Sequence, residues 1–379
     1  MPPSNDAKSA NRNLAARVCK SFATPEMEFT LDVECTAEPG FNVVFGPSGS
    51  GKTTLLDCIA GLAAPDQGRI AAGDRVLFDA ALRIDIPTDQ RNTGYVLQEL
   101  ALFPHLTVEQ NTEYGLSHMP RQARRDRSTA ILHEFRIDHL RSRRPAEISG
   151  GERQRVALAR SLVTDPCVLL LDEPLSALDA PTKLKIIEDL RLWNEAHGIP
   201  ILYVTHNRDE VFAVGERVLV LDKGKRIAQG RPHEVLSAPV QETVAQLAGF
   251  ENIFDAEVDS VHADRGTLTC RLINEAGKSS VVLETPIIRS QIGDRLRVGI
   301  RAGDILLAVI KPEGLSAQNV IPGRLVSLER RDMIIFAKVD CGVEMWVQLT
   351  LAARDSLRLN ASQQVWLVIK THSCHLMRG

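Results

Sequence analysis

No run of about 18 apolar residues occurs in the 379-residue chain, so it is not expected to cross a membrane by itself. It has no C-x-x-C pair either, and its seven cysteines are scattered and odd in number. That argues against a disulfide framework or a zinc site and fits a reducing compartment. A formal net charge of −3 gives no surplus that would draw the chain to nucleic acid or to an acidic surface. An apolar leader is missing as well: residues 1–13 are polar and are expected to form a flexible tail, not a secretory signal. What remains is ordinary for globular protein, 44% hydrophobic and 25% charged, and the length calls for two or three domains.

The most informative stretch is Gly46-Pro47-Ser48-Gly49-Ser50-Gly51-Lys52-Thr53, which fits G-x-x-x-x-G-K-[ST]. The apolar run Phe41–Phe45 before it reads as a buried parallel strand, and Thr53-Thr54-Leu55-Leu56-Asp57-Cys58-Ile59-Ala60 after it reads as a helix ended by Gly61. A glycine loop between strand and helix collects unpaired N–H groups and the positive helix end, which together bind phosphate. Lys52 is placed to reach the β- and γ-phosphates of a nucleotide, and the Thr53 hydroxyl to hold Mg²⁺. Thr54 belongs to the same phosphate-binding stretch.

Other segments set chemistry at strand ends. Met27, Phe29, Leu31, Val33 and Cys35 alternate on one face of a strand from Glu26, and Phe22 upstream could stack on an adenine ring. Residues 69–78 have strand character. Thr93–Leu97 is a short strand ending at Gln98, where an amide can touch a metal or an attacking water. From Thr107 to Arg144 the pattern is helical; its eight arginines from Arg121 onward lack interleaved aromatics and read as a solvated face. Ser149 and Glu152 have capping-box spacing, and Gly150 and Gly151 bare the backbone at the start of that helix. Val168–Leu171 is a buried strand ending in Asp172-Glu173. Asp172 suits a Mg²⁺ contact, and Glu173 suits polarising a water for in-line attack. Ser176–Asp179 leads into a helix from Pro181 to about Ala196, and the strand Ile201–Val204 ends at Thr205-His206. A hairpin about Lys223-Gly224 and a helical stretch from His233 to about Gly249 close this region.

Taken in order, the phosphate loop, Gln98, Ser149-Gly150-Gly151-Glu152, Asp172-Glu173, Ser176–Asp179 and His206 closely resemble the ATP-binding cassette (ABC) family over residues 14–249. The resemblance implies an α/β P-loop domain with a helical subdomain at about residues 99–165. It also implies ATP and Mg²⁺ as ligands, a head-to-tail dimer of two copies, and ATP sandwiched between one phosphate loop and the other copy's Ser149-Gly150-Gly151. By the same resemblance Glu173 polarises the water, His206 contacts the γ-phosphate, and the Gln98 loop faces a membrane partner. The signature reads Ile-Ser-Gly-Gly-Glu where Leu-Ser-Gly-Gly-Gln is commoner, leaving Ser149 and Gly150 in place.

Beyond Phe250 the texture becomes β-rich, and 295–301 is weakly similar to 364–370, as is Asn252-Ile-Phe to Asn319-Val-Ile. Two all-β units are expected as an OB-like pair, at 250–312 and 313–379, and by family resemblance this region is of TOBE or Mop type, the unit at 313–379 being Mop-like. Residues 301–308, 314–324 and 368–373 make the chain most similar to the ATPase subunits of bacterial molybdate importers. That resemblance implies two transmembrane permease subunits, an extracytoplasmic molybdate-binding protein acting indirectly, no nucleic-acid partner, and a peripheral place on the cytoplasmic face of the cell membrane. It also sets Ser316, Asn319, Lys370 and Ser373 near a possible oxyanion site, with Gln318 where related sequences often carry arginine. Sulfate, ferric iron or sugar importers share the mechanism. A chromosome-maintenance ATPase would need a long coiled-coil insertion before Val168, and a molybdate-responsive regulator would need a helix-turn-helix; the sequence offers neither.

Overall fold

The computed structural model describes residues 11–24, 27–237, 239, 241–274 and 277–378. Residues 1–10 of the expected tail, and Glu26, lie outside the described residues. The chain divides into two compact units, Met1–Pro232 and His233–Gly379.

The first unit is built on eleven strands: β1 (Leu14–Thr24), β2 (Met27–Ala37), β3 (Gly40–Phe45), β4 (Gln67–Ala72), β5 (Arg75–Asp79), β6 (Ile84–Asp85), β7 (Thr93–Val96), β8 (Val168–Asp172), β9 (Pro200–Thr205), β10 (Arg217–Asp222) and β11 (Lys225–Gly230). Their order is β6-β5-β4-β1-β2-β11-β10-β3-β9-β8-β7. The strand β1 escaped the sequence reading, and the single stretch 69–78 is a pair, β4 and β5, folded back at Gly73. The half from β10 to β7 is parallel. Its strands are apolar runs rather than alternating ones because both faces are covered: every residue of β8 and of β9 is buried. Register then decides where chemistry collects. Phe45 pairs with Thr205, Asp172 with Val204, and Val96 with Leu171, so the four chain ends that follow these strands emerge on one edge of the sheet.

Helix α1 (Lys52–Ala60) follows β3 and stops at Gly61, whose φ of 84° suits a glycine C-cap. Between the parallel neighbours β7 and β8 the chain inserts the helical region: α2 (Val108–Glu113), α3 (Arg121–Glu134) and α4 (Gly150–Leu162). Three arginines of this region are ion-paired, Arg124 to Glu113, Arg127 to Asp165 and Arg141 to Glu109. α5 (Ala180–His197) follows β8, and α6 (Arg208–Val214) follows β9.

In the second unit the boundary expected near 249 moves upstream. A π-helical turn (His233–Ser237) and α7 (Glu242–Leu247) replace one helical stretch, and both pack with the β-rich part. Arg301 donates to the Leu236 carbonyl, and Arg297 pairs with Glu242. The remaining strands are β12 (Asn252–His262), β13 (Thr267–Asn274), β14 (Gly277–Pro286), β15 (Arg295–Ile300), β16 (Ile305–Ala308), β17 (Asn319–Arg331), β18 (Ile334–Asp340), β19 (Glu344–Thr350), β20 (Gln364–Ile369) and β21 (His375–Arg378), with α8 (Leu351–Leu357) between β19 and β20.

These strands form two five-stranded sheets, β14-β13-β12-β15-β21 and β16-β20-β17-β18-β19. The weak repeat is visible in them: β15 and β20 hold equivalent places, and Asn252 pairs with Ile300 as Asn319 does with Ile369. The expected linear split at 312/313 does not hold, because each repeat lends its last strand to the other sheet. A single apolar core, running from Ala256 and Val258 to Leu367 and Ile369, spans both sheets.

Two buried asparagines pin the exchange. Asn252 donates to the Trp346 carbonyl and accepts from its N–H, at 2.9 and 2.6 Å. Asn319 does the same to Glu284, at 3.0 and 2.7 Å. Each is almost fully buried and joins one sheet to an edge strand of the other. Replacing either by alanine strands a backbone N–H and C=O, so Asn252→Ala and Asn319→Ala are each expected to cost about 2–3 kcal/mol. Denaturant unfolding of the full chain checks this; a loss below about 0.5 kcal/mol would mean that the amides are not what holds the sheets in register.

Candidate functional site

The glycines of the phosphate loop are required by close approach. A Cβ on Gly46 would lie 2.2 Å from the Leu221 carbonyl oxygen, and one on Gly51, at φ 98°, would lie 2.7 Å from Leu31. Gly51 is also the N-cap of α1 and has no side chain to satisfy the first-turn N–H groups, which leaves them for an anion. Lys52 turns back over the loop and donates to the carbonyls of Gly46 and Pro47, at 2.9 and 2.7 Å. Burial depresses its pKa, with Glu173 and Asp172 acting in the opposite sense. Ser50 is buried, and its hydroxyl has no hydrogen-bond partner among the described residues. A buried hydroxyl left over, inside a ring of backbone that tolerates no Cβ, fits a loop whose remaining partners arrive with a phosphate.

Beside the loop, Thr53 Oγ1 donates to Asp172 Oδ2 at 2.8 Å. Asp172 is buried, and that burial raises its pKa, opposed by the Thr53 hydrogen bond. A hydroxyl and a carboxylate in contact at a strand end are the donor set that a hard cation takes. The next residue, Glu173, has left-handed backbone (φ 45°) and anchors its N–H on the Val204 carbonyl. Its Oε1 lies 2.7 Å from His206 Nδ1. The carboxylate is mostly covered while the imidazole is mostly exposed, so the pair spans the wall and the mouth of the site. A carboxylate backed by an imidazole can accept a proton from water.

The strand end that precedes His206 is held by a network that the sequence did not signal. Glu210, buried at the start of α6, accepts from Lys183 of α5 (2.7 Å), Tyr203 OH (3.1 Å) and Thr205 Oγ1 (2.8 Å). The neighbouring Asn207 caps α6 through its side-chain oxygen. A glutamate four residues after a histidine is common in any sequence; only the fold shows that it fixes the end of β9.

Gln98 sits exposed in the turn just past β7, beside β8. Ser149 is the N-cap of α4 in a complete capping box, and the signature glutamate explains itself there. Glu152 Oε2 accepts from both the Ser149 N–H and its hydroxyl, at 2.7 Å each, and those bonds hold its pKa down. Gly151 faces the start of α5, where a Cβ would come 2.7 Å from Thr182. None of the hydrogen bonds of Ser149 reaches the phosphate loop of the same chain. Phe22 is exposed on β1 with Lys20 5.1 Å above its ring, and it packs 6.4 Å from Phe29. Phe29, in turn, lies against Gly51; the sequence pattern marked it only as one of the alternating residues of its strand.

The oxyanion set does not assemble as expected. The register of β17 and β20 brings Asn319 beside the strand end that carries Lys370, but its amide is committed to Glu284 and to Cys374 Sγ. Ser316 and Lys370 are exposed, and the N–H of Ser373 closes a turn onto the Lys370 carbonyl. In this chain the Asn319 amide serves the fold, bonded to the Glu284 backbone. A separate concavity of about 420 Å³, lined by Arg12, Asp165, Trp193 and His197, opens among residues that none of these motifs includes.

Comparison with known proteins agrees with this geometry. The family profile described as "ABC transporter" matches residues 31–176, and that of the "TOBE domain" matches residues 315–376. The chain is 36% identical over 346 residues to the molybdenum import ATP-binding protein ModC of Paramagnetospirillum magneticum, covering 90% of this chain and 93% of that protein. It is 38% identical over 345 residues to the protein of the same name from Rhizobium meliloti, covering 90% and 95%. Among solved structures, an ATP-binding cassette in a dimeric post-hydrolysis state with ADP and Pi is similar at 30% identity and a TM-score of 0.51, covering 58% of this chain and 98% of that one.

The raised pKa of Asp172 has a consequence for stability. A carboxyl whose folded pKa lies above its unfolded value stabilises the fold when protonated, and that contribution is lost as pH rises through the folded pKa. Asp172→Asn is therefore expected to raise the Tm of the ligand-free protein at pH 7–8, with the gain vanishing below the ordinary carboxyl range. Thermal unfolding of both proteins across pH checks it; a lower Tm for the variant at pH 8 would show that the ionised carboxylate stabilises the empty site.

Proposed function

The chain belongs to the ABC transporter family of ATPases, and from that premise we propose that it is the ATP-hydrolysing subunit that energises a molybdate importer. The observation that carries hydrolysis is the meeting, on one sheet edge, of the phosphate loop, the Thr53–Asp172 contact and the Glu173–His206 pair. The cargo follows from similarity that runs through both units to proteins named for molybdenum import. A different cargo, such as sulfate, ferric iron or sugar, finds no comparable support.

In this reading the α1 N–H groups and the Ser50 hydroxyl receive the phosphates of ATP, and Lys52 leaves the Gly46 and Pro47 carbonyls for the β- and γ-phosphates. Thr53, Asp172 and Gln98 would hold Mg²⁺, which when bound neutralises charge on the β- and γ-oxygens. Glu173 takes the proton of the attacking water, and His206 steadies that carboxylate from the mouth of the site. Most of the rate comes from such positioning and charge stabilisation, because phosphoryl transfer asks little covalent chemistry of the protein. Phe22 offers a face to the adenine.

Ser149, Gly150 and Gly151 complete the site from a second copy arranged head to tail. The hydroxyl of Ser149 makes its bonds within its own capping turn, and Glu152 preserves that turn as a glutamine would, by accepting from the Ser149 N–H. Among the described residues no helix is long and apolar enough to cross a membrane. Two permease subunits supply the pathway, an extracytoplasmic binding protein delivers the oxyanion to them, and this chain works peripherally on the cytoplasmic face.

Glu173→Gln is expected to bind ATP yet lose turnover by about 100-fold or more, as removal of a general base does. Nucleotide titration together with phosphate release measures both, and normal turnover would sink the role given to Glu173. Lys52→Ala is expected to weaken nucleotide affinity at least about tenfold, since a buried charge-assisted contact to phosphate is lost. For the cargo, the chain reconstituted with its membrane subunits in vesicles should drive molybdate uptake that excess sulfate leaves intact. Uptake of sulfate in place of molybdate would overturn that assignment.

A further inference from the structure

The turn that carries Gln98 is strained. Leu100 and Ala101 are consecutive non-glycine residues with left-handed backbone, at φ 60° and 44°. Two tight closures bend the chain there, Leu100 N–H onto the Leu97 carbonyl (2.9 Å) and Ala101 N–H onto that of Glu99 (2.7 Å). Nothing in Leu97-Gln98-Glu99-Leu100-Ala101 is a glycine or asparagine that would adopt this shape readily. The restraint comes from another element. Arg160, in the last turn of α4, donates Nη2 to the Leu100 carbonyl at 2.8 Å and Nη1 to the Ala101 carbonyl at 2.7 Å. Its guanidinium lies 5.5 Å from the centroid of the Phe103 ring. Phe103 is held in turn by the buried Asn111, which accepts from its N–H and donates to its carbonyl, at 2.9 and 3.1 Å. Arg160 has no carboxylate within ion-pairing distance among the described residues, so its fork is given to these two carbonyls.

We propose that Arg160 is a positioning residue that keeps the Gln98 turn in its bent form and makes it move as one body with α4. The N-cap of that helix is Ser149, about 16 Å away along the axis. A rigid helix with the Ser149 turn at one end and the Gln98 turn clamped to the other ties the two parts of the nucleotide machinery mechanically. The planar guanidinium is suited to this because it reaches two adjacent carbonyls at once; a lysine ammonium keeps the charge but not the fork. The inference rests on the reading of Gln98 and Ser149 as parts of the ATP site.

The test compares full-length Arg160→Ala and Arg160→Lys with the parent by amide hydrogen exchange and steady-state ATPase kinetics. In both variants exchange across residues 99–103 is expected to rise about tenfold or more, while α4 and the phosphate loop keep their protection. kcat should fall about tenfold, with the KM for ATP changing less than about twofold, because positioning is lost and phosphate binding is not. The proposal is overturned if exchange across 99–103 is unchanged in Arg160→Ala, if protection is lost throughout α4, or if Arg160→Lys matches the parent in both measurements. Failure of the ATPase reading would appear separately, as normal turnover in Glu173→Gln, and the exchange data would still judge the clamp.

Discussion

The hydrogen bond between Thr53 and Asp172 is the point on which the first unit depends. It joins the beginning of α1 to the end of β8, elements separated by more than a hundred residues. The parallel register of β3, β9 and β8 makes the contact possible, since these strands finish level with one another. Given that alignment, whatever follows each strand faces the same volume. The loop contributes N–H groups, β8 contributes two acids, and β9 contributes an imidazole. Ligand sites gather at such carboxyl ends because strand, turn and helix start leave polar backbone there that the sheet does not use.

The same site is expensive to keep empty. Lys52 and Asp172 are both buried, and burial moves the pKa of each toward its neutral form. Glu173 occupies a backbone region that side chains avoid, and Ser50 hides a hydroxyl without a partner among the described residues. Each feature costs the ligand-free fold something, and each is offset when charge of the opposite sign or a phosphate oxygen arrives. Lys52 folds back onto its own loop, where two carbonyls accept from its ammonium group. The polar network of Glu210 with Lys183, Tyr203 and Thr205 works the other way, being complete already, and so it fixes the end of β9 whether or not ligand is present.

Much of this could be read from the sequence. The phosphate loop, the strand-end acids, the Ser149 capping box and the hairpin at Lys223-Gly224 are local patterns whose residues determine their own geometry. The α/β cassette and the β-rich C-terminal part follow from them. What stayed hidden depends on distance along the chain. Glu210 and Arg160 look like ordinary helix residues until tertiary contacts supply their partners. The strand β1 lacked a clear alternation, and the unit boundary near 249 was misplaced because helix propensity does not say which neighbour a helix packs on. Asn319 was marked only through family resemblance, and an amide that binds a ligand and an amide that binds a backbone have the same sequence signature. The equivalent Asn252, in the same register and the same bonding pattern, is what separates the two.

The strand exchange in the C-terminal unit bears on how the protein is made. The sheet begun by β12 is closed on one side by β21, which follows every other strand of the unit in chain order. During synthesis the first repeat therefore emerges without its edge partner, while its own spare strand β16 waits for β20. The first sheet is complete only once β21 has been made, although the cassette ahead of it can already be folded, and until then β15 offers an open edge of the kind on which chains stick to one another.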